Sequence, residues 1–262
     1  MSLENIEYTT QEIVEYFGNN RIKWDDFYKS EQKIFTRVLR RYDKTTRILD
    51  VGCAAGGLGY ALSERFGITE YTGMDINRPV IEFAEQQQIP VGACFQFVHG
   101  DIVNDSHLVG SHQFDIVVSL SCVDWNLCPE KSVKACWAKV KPGGYFIISL
   151  RLTPEEGVND INKSYQPIIF SYAKASGNEE KANYVVYNTL GALNMVNSLN
   201  PNSIEVYGYW GKPSKTAVTQ SKKLIFSVFA IQKREMESPS KVKLNLELPV
   251  DAFLKLDENF SL

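Results

Sequence analysis

The chain is predicted to be an α/β protein with a doubly wound, mostly parallel sheet, and three observations predict it. A β-branched run, Arg47-Ile48-Leu49-Asp50-Val51, ends at a glycine cluster and is followed by a helical pattern. Strand-like and helix-like segments then alternate every ~20 to 30 residues as far as Leu150, which calls for right-handed crossovers between parallel strands. With 262 residues, 44% of them hydrophobic and 23% charged, the composition is that of a globular protein. A chain of this size buries roughly 70 to 75% of its unfolded surface, so it needs no disulfide or metal to fold.

The elements follow in order. Gln11 to Phe17 and Asp25 to Tyr42 read as leading helices, Ile34, Phe35, Val38 and Leu39 forming one apolar stripe. Gly57 to Phe66 is a helix closed by Gly67, Glu70 to Met74 a strand, Arg78 to Gln88 a helix and Cys94 to Val98 a strand. Phe114 to Leu120 is the fourth strand, Pro129 to Val140 a helix with proline at its first position, and Gly144 to Leu150 the fifth strand. Thr153 to Asn183 is then polar and irregular, with an apolar island at Ile168-Ile169-Phe170, and Tyr184 to Leu199 reads as a helix; residues 151–200 are expected to be a lid or substrate-side insertion. Ile204 to Trp210 and Leu224 to Ile231, joined through Gly211-Lys212-Pro213-Ser214-Lys215, read as an antiparallel hairpin at the sheet edge, which brings the sheet to seven strands. Beyond Ser238-Pro239-Ser240, the alternation of Val242, Leu244, Leu246 and Leu248 predicts a half-buried tail strand. The expected organisation is N-terminal helices capping the site (1–44), a main domain (45–232) and a tail (233–262), with no internal repeat.

Against 28 basic residues stand 31 acidic ones, and a net charge of -3 leaves no excess to neutralise a phosphate backbone, so nucleic acid is not the expected partner. The five cysteines, Cys53, Cys94, Cys122, Cys128 and Cys136, are odd in number and never in a Cys-x-x-Cys pair, as expected of reduced thiols. No apolar run approaches the roughly 20 residues of a membrane span, and Met1-Ser2-Leu3-Glu4 does not read as a signal peptide; the expected location is the cytoplasm, without a membrane partner. His99, His107 and His112 are not spaced as metal ligands, so no metal is expected.

The acidic residues point to a cofactor. Asp50, Asp75 and Asp101 end the first three strands, 25 and 26 residues apart, which gathers three carboxylates on one rim of the sheet. In a dinucleotide site the pyrophosphate occupies the first glycine turn, and a carboxylate two residues before Gly52 would repel it by ~1 kcal/mol or more. A cationic ligand reverses the sign. S-adenosylmethionine carries a sulfonium and an ammonium for carboxylates to attract, a ribose diol that can donate to Asp75 and an adenine amine that can donate to Asp101.

These segments resemble the class I S-adenosylmethionine-dependent methyltransferases over about residues 45–150, and the hairpin at 203–232 does so in outline. The resemblance is carried by Ile48-Leu49-Asp50-Val51-Gly52-Cys53-Ala54-Ala55-Gly56-Gly57, Gly73-Met74-Asp75-Ile76, Gly100-Asp101-Ile102, Phe114-Asp115-Ile116-Val117-Val118-Ser119 and Lys141-Pro142-Gly143-Gly144. It implies a Rossmann-like seven-stranded fold and a cofactor site at Asp50, Gly52, Cys53, Ala54, Gly56, Asp75, Ile76, Asp101, Ile102 and Ser119, with S-adenosylhomocysteine as product. Ala54 departs from the family's usual glycine, which is tolerable unless its φ is positive.

The acceptor should approach along Ser121-Cys122-Val123-Asp124-Trp125-Asn126, just past the fourth strand. Asp124 is the candidate base, its alternative being a helix cap; Trp125, Asn126 and Tyr28 are candidate substrate contacts, the aromatics having core packing as their alternative. The Asn/Asp-Pro-Pro-aromatic motif of amine-methylating relatives and a Pro-Cys nucleophile are both missing at Ser119-Leu120-Ser121-Cys122. The expected activity is methyl transfer to a small molecule, at a hydroxyl of a sugar or other metabolite. A protein methyltransferase and a non-catalytic cofactor-binding subunit are the alternatives, and the sequence carries no signal for an oligomeric state.

Overall fold

The computed structural model describes residues 14, 18, 21–168, 180–235 and 241–256. Its helices are α1 (Lys29–Leu39), α2 (Gly57–Phe66), α3 (Arg78–Glu85), α4 (Pro129–Lys139) and α5 (Thr189–Asn197). Its strands are β1 (Arg47–Val51), β2 (Glu70–Asp75), β3 (Cys94–His99), β4 (Phe114–Ser119), β5 (Val140–Thr153), β6 (Tyr165–Ile168), β7 (Glu180–Asn183), β8 (Tyr187–Asn188), β9 (Ser203–Gly211), β10 (Leu224–Gln232) and β11 (Lys243–Glu247).

One sheet runs β11-β9-β10-β5-β4-β1-β2-β3, with β8 paired to β5, while β6 and β7 form a separate hairpin. β1 pairs in parallel with both β2 and β4, as do β2 with β3 and β4 with β5. β10 is antiparallel to β5 and β9, and β11 lies parallel to β9. The chain winds outward from β1 in both directions, so the crevice beyond the carboxyl ends of β1 and β4 is the topological switch point, where ligands of open α/β sheets bind.

Alternation along the central strands divides the core in two. Ile48, Ile116, Val118 and Ile147 point to one face and are covered by α1 and α2 through Ile34, Phe35, Ala61 and Leu62. Leu49, Val117, Phe146 and Ile148 point to the other, with Val133, Cys136, Ala192 and Val196 of α4 and α5. Strands apolar on both faces are what a covered parallel sheet requires, and each such side chain contributes about 1.5–3 kcal/mol by burial. α2 starts after Gly56 (φ 79°) and stops at Gly67 (φ 70°), whose N–H reaches the Ser63 carbonyl at 2.9 Å.

Several expectations are revised. The leading helix over Asp25 to Tyr42 breaks into a 3-10 turn, Trp24–Asp26, and α1, because the Asp26 carboxylate ties down the Ile22 and Lys23 amides (3.2 and 2.9 Å). The segment expected to be irregular contains the β6–β7 hairpin, and β5 is longer at both ends than expected. The last helix starts at Thr189, not Tyr184: Val186 bridges Val158, Tyr187 pairs with Leu152, and Asn188 Oδ1 caps α5 by accepting from Leu190 and Gly191. The tail strand forms, but Leu244 is 59% exposed, since β11 is an edge strand and only Val242 and Leu248 reach the core. Most of the expected helix at Gln11 to Phe17, the island's Ile169-Phe170 and the Ser238-Pro239-Ser240 linker lie outside the described residues.

Candidate active site

A cavity of about 850 Å³ opens at the switch point and is walled on one side by the glycine turn and the ends of β1 and β2. Asp50 is 4% exposed and accepts from the Tyr71 hydroxyl at 2.7 Å. Burial pushes its carboxyl up to about 7 against that hydrogen bond and the Arg21 charge, with Asp75 and Glu31 pushing the same way. Asp75 Oδ1 accepts from the backbone N–H and side-chain amide of Asn77 (2.9 and 2.7 Å), and Oδ2 accepts from the Ala54 N–H at 2.9 Å. Burial raises this carboxyl too, opposed by those hydrogen bonds. Three of about four acceptor positions are thus filled, leaving room for one further donor where the ribose diol was expected to use two.

The turn itself is tight. Gly52 has φ 77°, and a Cβ there would run into the Cys122 side chain. Ala54 adopts φ 49°, the case in which alanine is strained, by about 1–2 kcal/mol. The Asp75 carboxylate holds it there. Asp101 lines the cavity in an Asx turn, Oδ1 accepting from the Val103 N–H (3.0 Å) and Oδ2 from the Asn104 amide (2.7 Å).

The rest of the lining comes from distant parts of the chain. Asp124, in the 3-10 turn Val123–Trp125, pairs through Oδ2 with Arg151 Nε at 2.8 Å, and Arg151 Nη2 donates to the Asp124 carbonyl at 2.6 Å. The Arg151 guanidinium lies 4.5 and 3.6 Å from the ring centres of Trp125 and Tyr184, which meet edge to face. Burial raises the Asp124 carboxyl and Arg151 opposes it. Glu31 in α1 is fully buried; its Oε2 accepts from Arg21 Nη2 (2.5 Å) and the Tyr28 N–H (2.7 Å), and burial again raises it against Arg21. Arg21 also donates to Ser121 Oγ at 3.3 Å, tying this segment to the end of β4. Glu31 Oε1, Asp124 Oδ1 and Gln166 Oε1, all on cavity-lining residues, are buried without a hydrogen-bond partner among the described residues.

Residues 49–148 match the family model described as a methyltransferase domain. Over nearly the whole fold, the chain superposes with a TM-score of 0.53 and 14% identity on a SAM-dependent methyltransferase from Thiobacillus denitrificans in complex with S-adenosyl-L-homocysteine, covering 87% of this chain and 100% of that one. The sequence of residues 49–148 is therefore similar to a methyltransferase domain, and the chain shares the fold of that solved structure. Among curated methyltransferase relatives, it is 31% identical over 110 residues to a ubiquinone biosynthesis O-methyltransferase of Coxiella burnetii (40% of this chain, 44% of that protein). It is 27% identical over 126 residues to the U6 snRNA methylphosphate capping enzyme Amus of Drosophila melanogaster (40% and 41%). The chain thus spans less than half the length of these relatives.

Of the expected cofactor residues, Asp50, Gly52, Cys53, Ala54, Asp75, Ile76, Asp101 and Ile102 line the cavity. Gly56 and Ser119 do not. Gly56 caps α2 and gives the Phe97 ring its space, and Ser119 is fully buried, its Oγ donating to the Val51 carbonyl at 3.2 Å. The expected acceptor residues Tyr28, Asp124, Trp125 and Asn126 also line it. Tyr28 stacks on Phe226 at 5.7 Å, and the Asn126 amide donates to Ser132 Oγ at 2.9 Å. Arg21, Glu31, Arg151, Gln166 and Tyr184 escaped the sequence reading. Arg151 left a trace, a charge directly after the apolar run of β5; Glu31 looked like any polar position of an amphipathic helix.

Proposed function

We propose that this protein is an S-adenosylmethionine-dependent methyltransferase acting on a hydroxyl of a small, hydroxylated acceptor such as a sugar or related metabolite. The observation that carries this is a single cavity in which strand-end carboxylates face an aromatic, hydrogen-bonding wall, with three buried acceptor oxygens awaiting donors. S-adenosylmethionine, when bound, supplies a methyl group on a positively charged sulfur. Asp50 and Asp75, two buried carboxylates of which the second raises the first, fit a cationic, donor-rich ligand, and Asp101, on the cavity lining, suits an amine donor. Trp125, Tyr184, Tyr28 and Phe226 exclude water and orient the acceptor by their faces, and a carboxylate on this wall takes the hydroxyl proton. Asp124 is the candidate foreseen from its position.

The U6 snRNA relative acts, by its name, on RNA, yet this chain's net charge of -3 supports a small acceptor instead. The cytoplasm is the proposed location. Incubating the purified chain with methyl-labelled S-adenosylmethionine and fractionated cell extract tests the reading: label is expected in small metabolites. Label in protein or RNA would replace the acceptor class, and no transfer at all would favour a cofactor-binding subunit.

A further inference from the structure

Two carboxylates on the acceptor wall share one design. Glu31 and Asp124 each give one oxygen to an arginine, Arg21 and Arg151 respectively, and each keeps the other oxygen buried and without a hydrogen-bond partner among the described residues. A desolvated lone acceptor is costly, and it is met by a proton or by a ligand's donor. The two are not equivalent in place. Arg21, which holds Glu31, also bonds Ser121 at the end of β4, and the next residue, Cys122, lies against Gly52 of the cofactor turn. The Asp124–Arg151 ion pair is by contrast built into the wall, locked by a hydrogen bond from Arg151 to the Asp124 carbonyl and by two aromatic rings.

We infer that Glu31 Oε1 is the base of methyl transfer, and that Asp124 with Arg151 holds the acceptor rather than deprotonating it. This rests on the reading of the site as a hydroxyl methyltransferase. The new O–C bond forms as the C–S bond breaks with its electron pair left on sulfur, and the hydroxyl proton passes to Glu31 Oε1 and then to solvent as product leaves. The groups facing Glu31 are Arg21 and the Tyr28 N–H beside it, Asp50 from β1, Asp124 from the turn after β4, and Tyr209 from β9. The carboxylates and the burial oppose ionisation and Arg21 favours it, which sets a base that titrates above the ordinary glutamate range.

The test compares Glu31→Gln and Asp124→Asn on the extract fraction that the wild type labels, with S-adenosylhomocysteine affinity by calorimetry as the control for folding. Glu31→Gln is expected to lower kcat by about 10²- to 10⁴-fold and to abolish the acidic limb of the pH profile. Asp124→Asn is expected to raise KM with kcat within a few-fold. Glu31→Asp, which keeps the carboxyl if glutamine is not tolerated, should retain that limb at lower kcat. Independently of turnover, infrared pH titration should show a protonated carboxyl band, absent in Glu31→Gln, with its midpoint above the ordinary glutamate value. The inference is overturned by near-normal kcat in Glu31→Gln, by an equal or larger kcat loss in Asp124→Asn, or by a Glu31 band titrating as an ordinary glutamate. Label entering protein or RNA would sink the functional reading alone, since the two variants are then compared on that acceptor.

Discussion

The two walls of the cavity are built from opposite kinds of information. The wall proposed to hold the cofactor is local: Asp50, the glycine turn, Asp75 and Asp101 come from successive strand ends within about 50 residues, and the parallel register of β1 with β2 sets Asp50 beside Gly73. The wall proposed for the acceptor draws on Arg21, Glu31, Asp124, Arg151, Gln166 and Tyr184, held by ion pairs and rings that span much of the chain. The first wall needs only the strand order to assemble. The second depends on long-range pairs, so it should fail one pair at a time.

The largest effect should come from Arg151→Met, which leaves the Asp124 carboxylate buried without its cation; a loss of about 3–5 kcal/mol in urea unfolding is expected. Adding Asp124→Leu should recover part of it, and no recovery would mean that the rings, not the charge pair, hold this wall. Asp75→Ala is aimed at the other wall. It removes one position for a ribose hydroxyl, about 1.5–3 kcal/mol for a charged acceptor, so calorimetry should show S-adenosylhomocysteine binding weakened roughly 10- to 150-fold. Unchanged affinity would take the ribose away from Asp75.

A pH-dependent difference is expected from Asp50. Its folded pKa of about 7 lies above the ordinary 3.8, so between these values the folded chain keeps a proton that the unfolded chain has lost. Stability should therefore fall as pH rises through that window, by at most about 1.4 kcal/mol per pH unit from this group. Asp50→Asn should flatten the dependence by up to one proton, as read from urea midpoints at pH 4 to 7; an unchanged slope would show Asp50 ionised throughout. The smallest effect is expected at Ala54→Gly, which relieves a positive φ at the cost of a looser unfolded chain: a gain of about 1 kcal/mol, or roughly 2–4 °C in Tm. A lower Tm would place the strain elsewhere.

Much of this architecture was legible before any tertiary contact was known. Two-residue alternation against glycine-punctuated helical periods specifies which segments pair and which cross over, and strand-end position alone gathers Asp50, Asp75 and Asp101 on one rim, because strands of a parallel sheet end on the same side. Where the reading missed, the deciding interactions were not local. Ser119 was expected at the cofactor, but the sheet turns its hydroxyl to Val51; the helix expected from Tyr184 gave way to extended chain because Val158, Leu152 and Asp124 offered it partners. Within its own helix Glu31 is marked only as the N3 acceptor of the Tyr28 N–H. Only the folded chain brings Arg21 and Asp124 to it and removes the water, and it is that loss of solvent, not the residue type, that turns a surface-like glutamate into a buried carboxyl with one oxygen to spare.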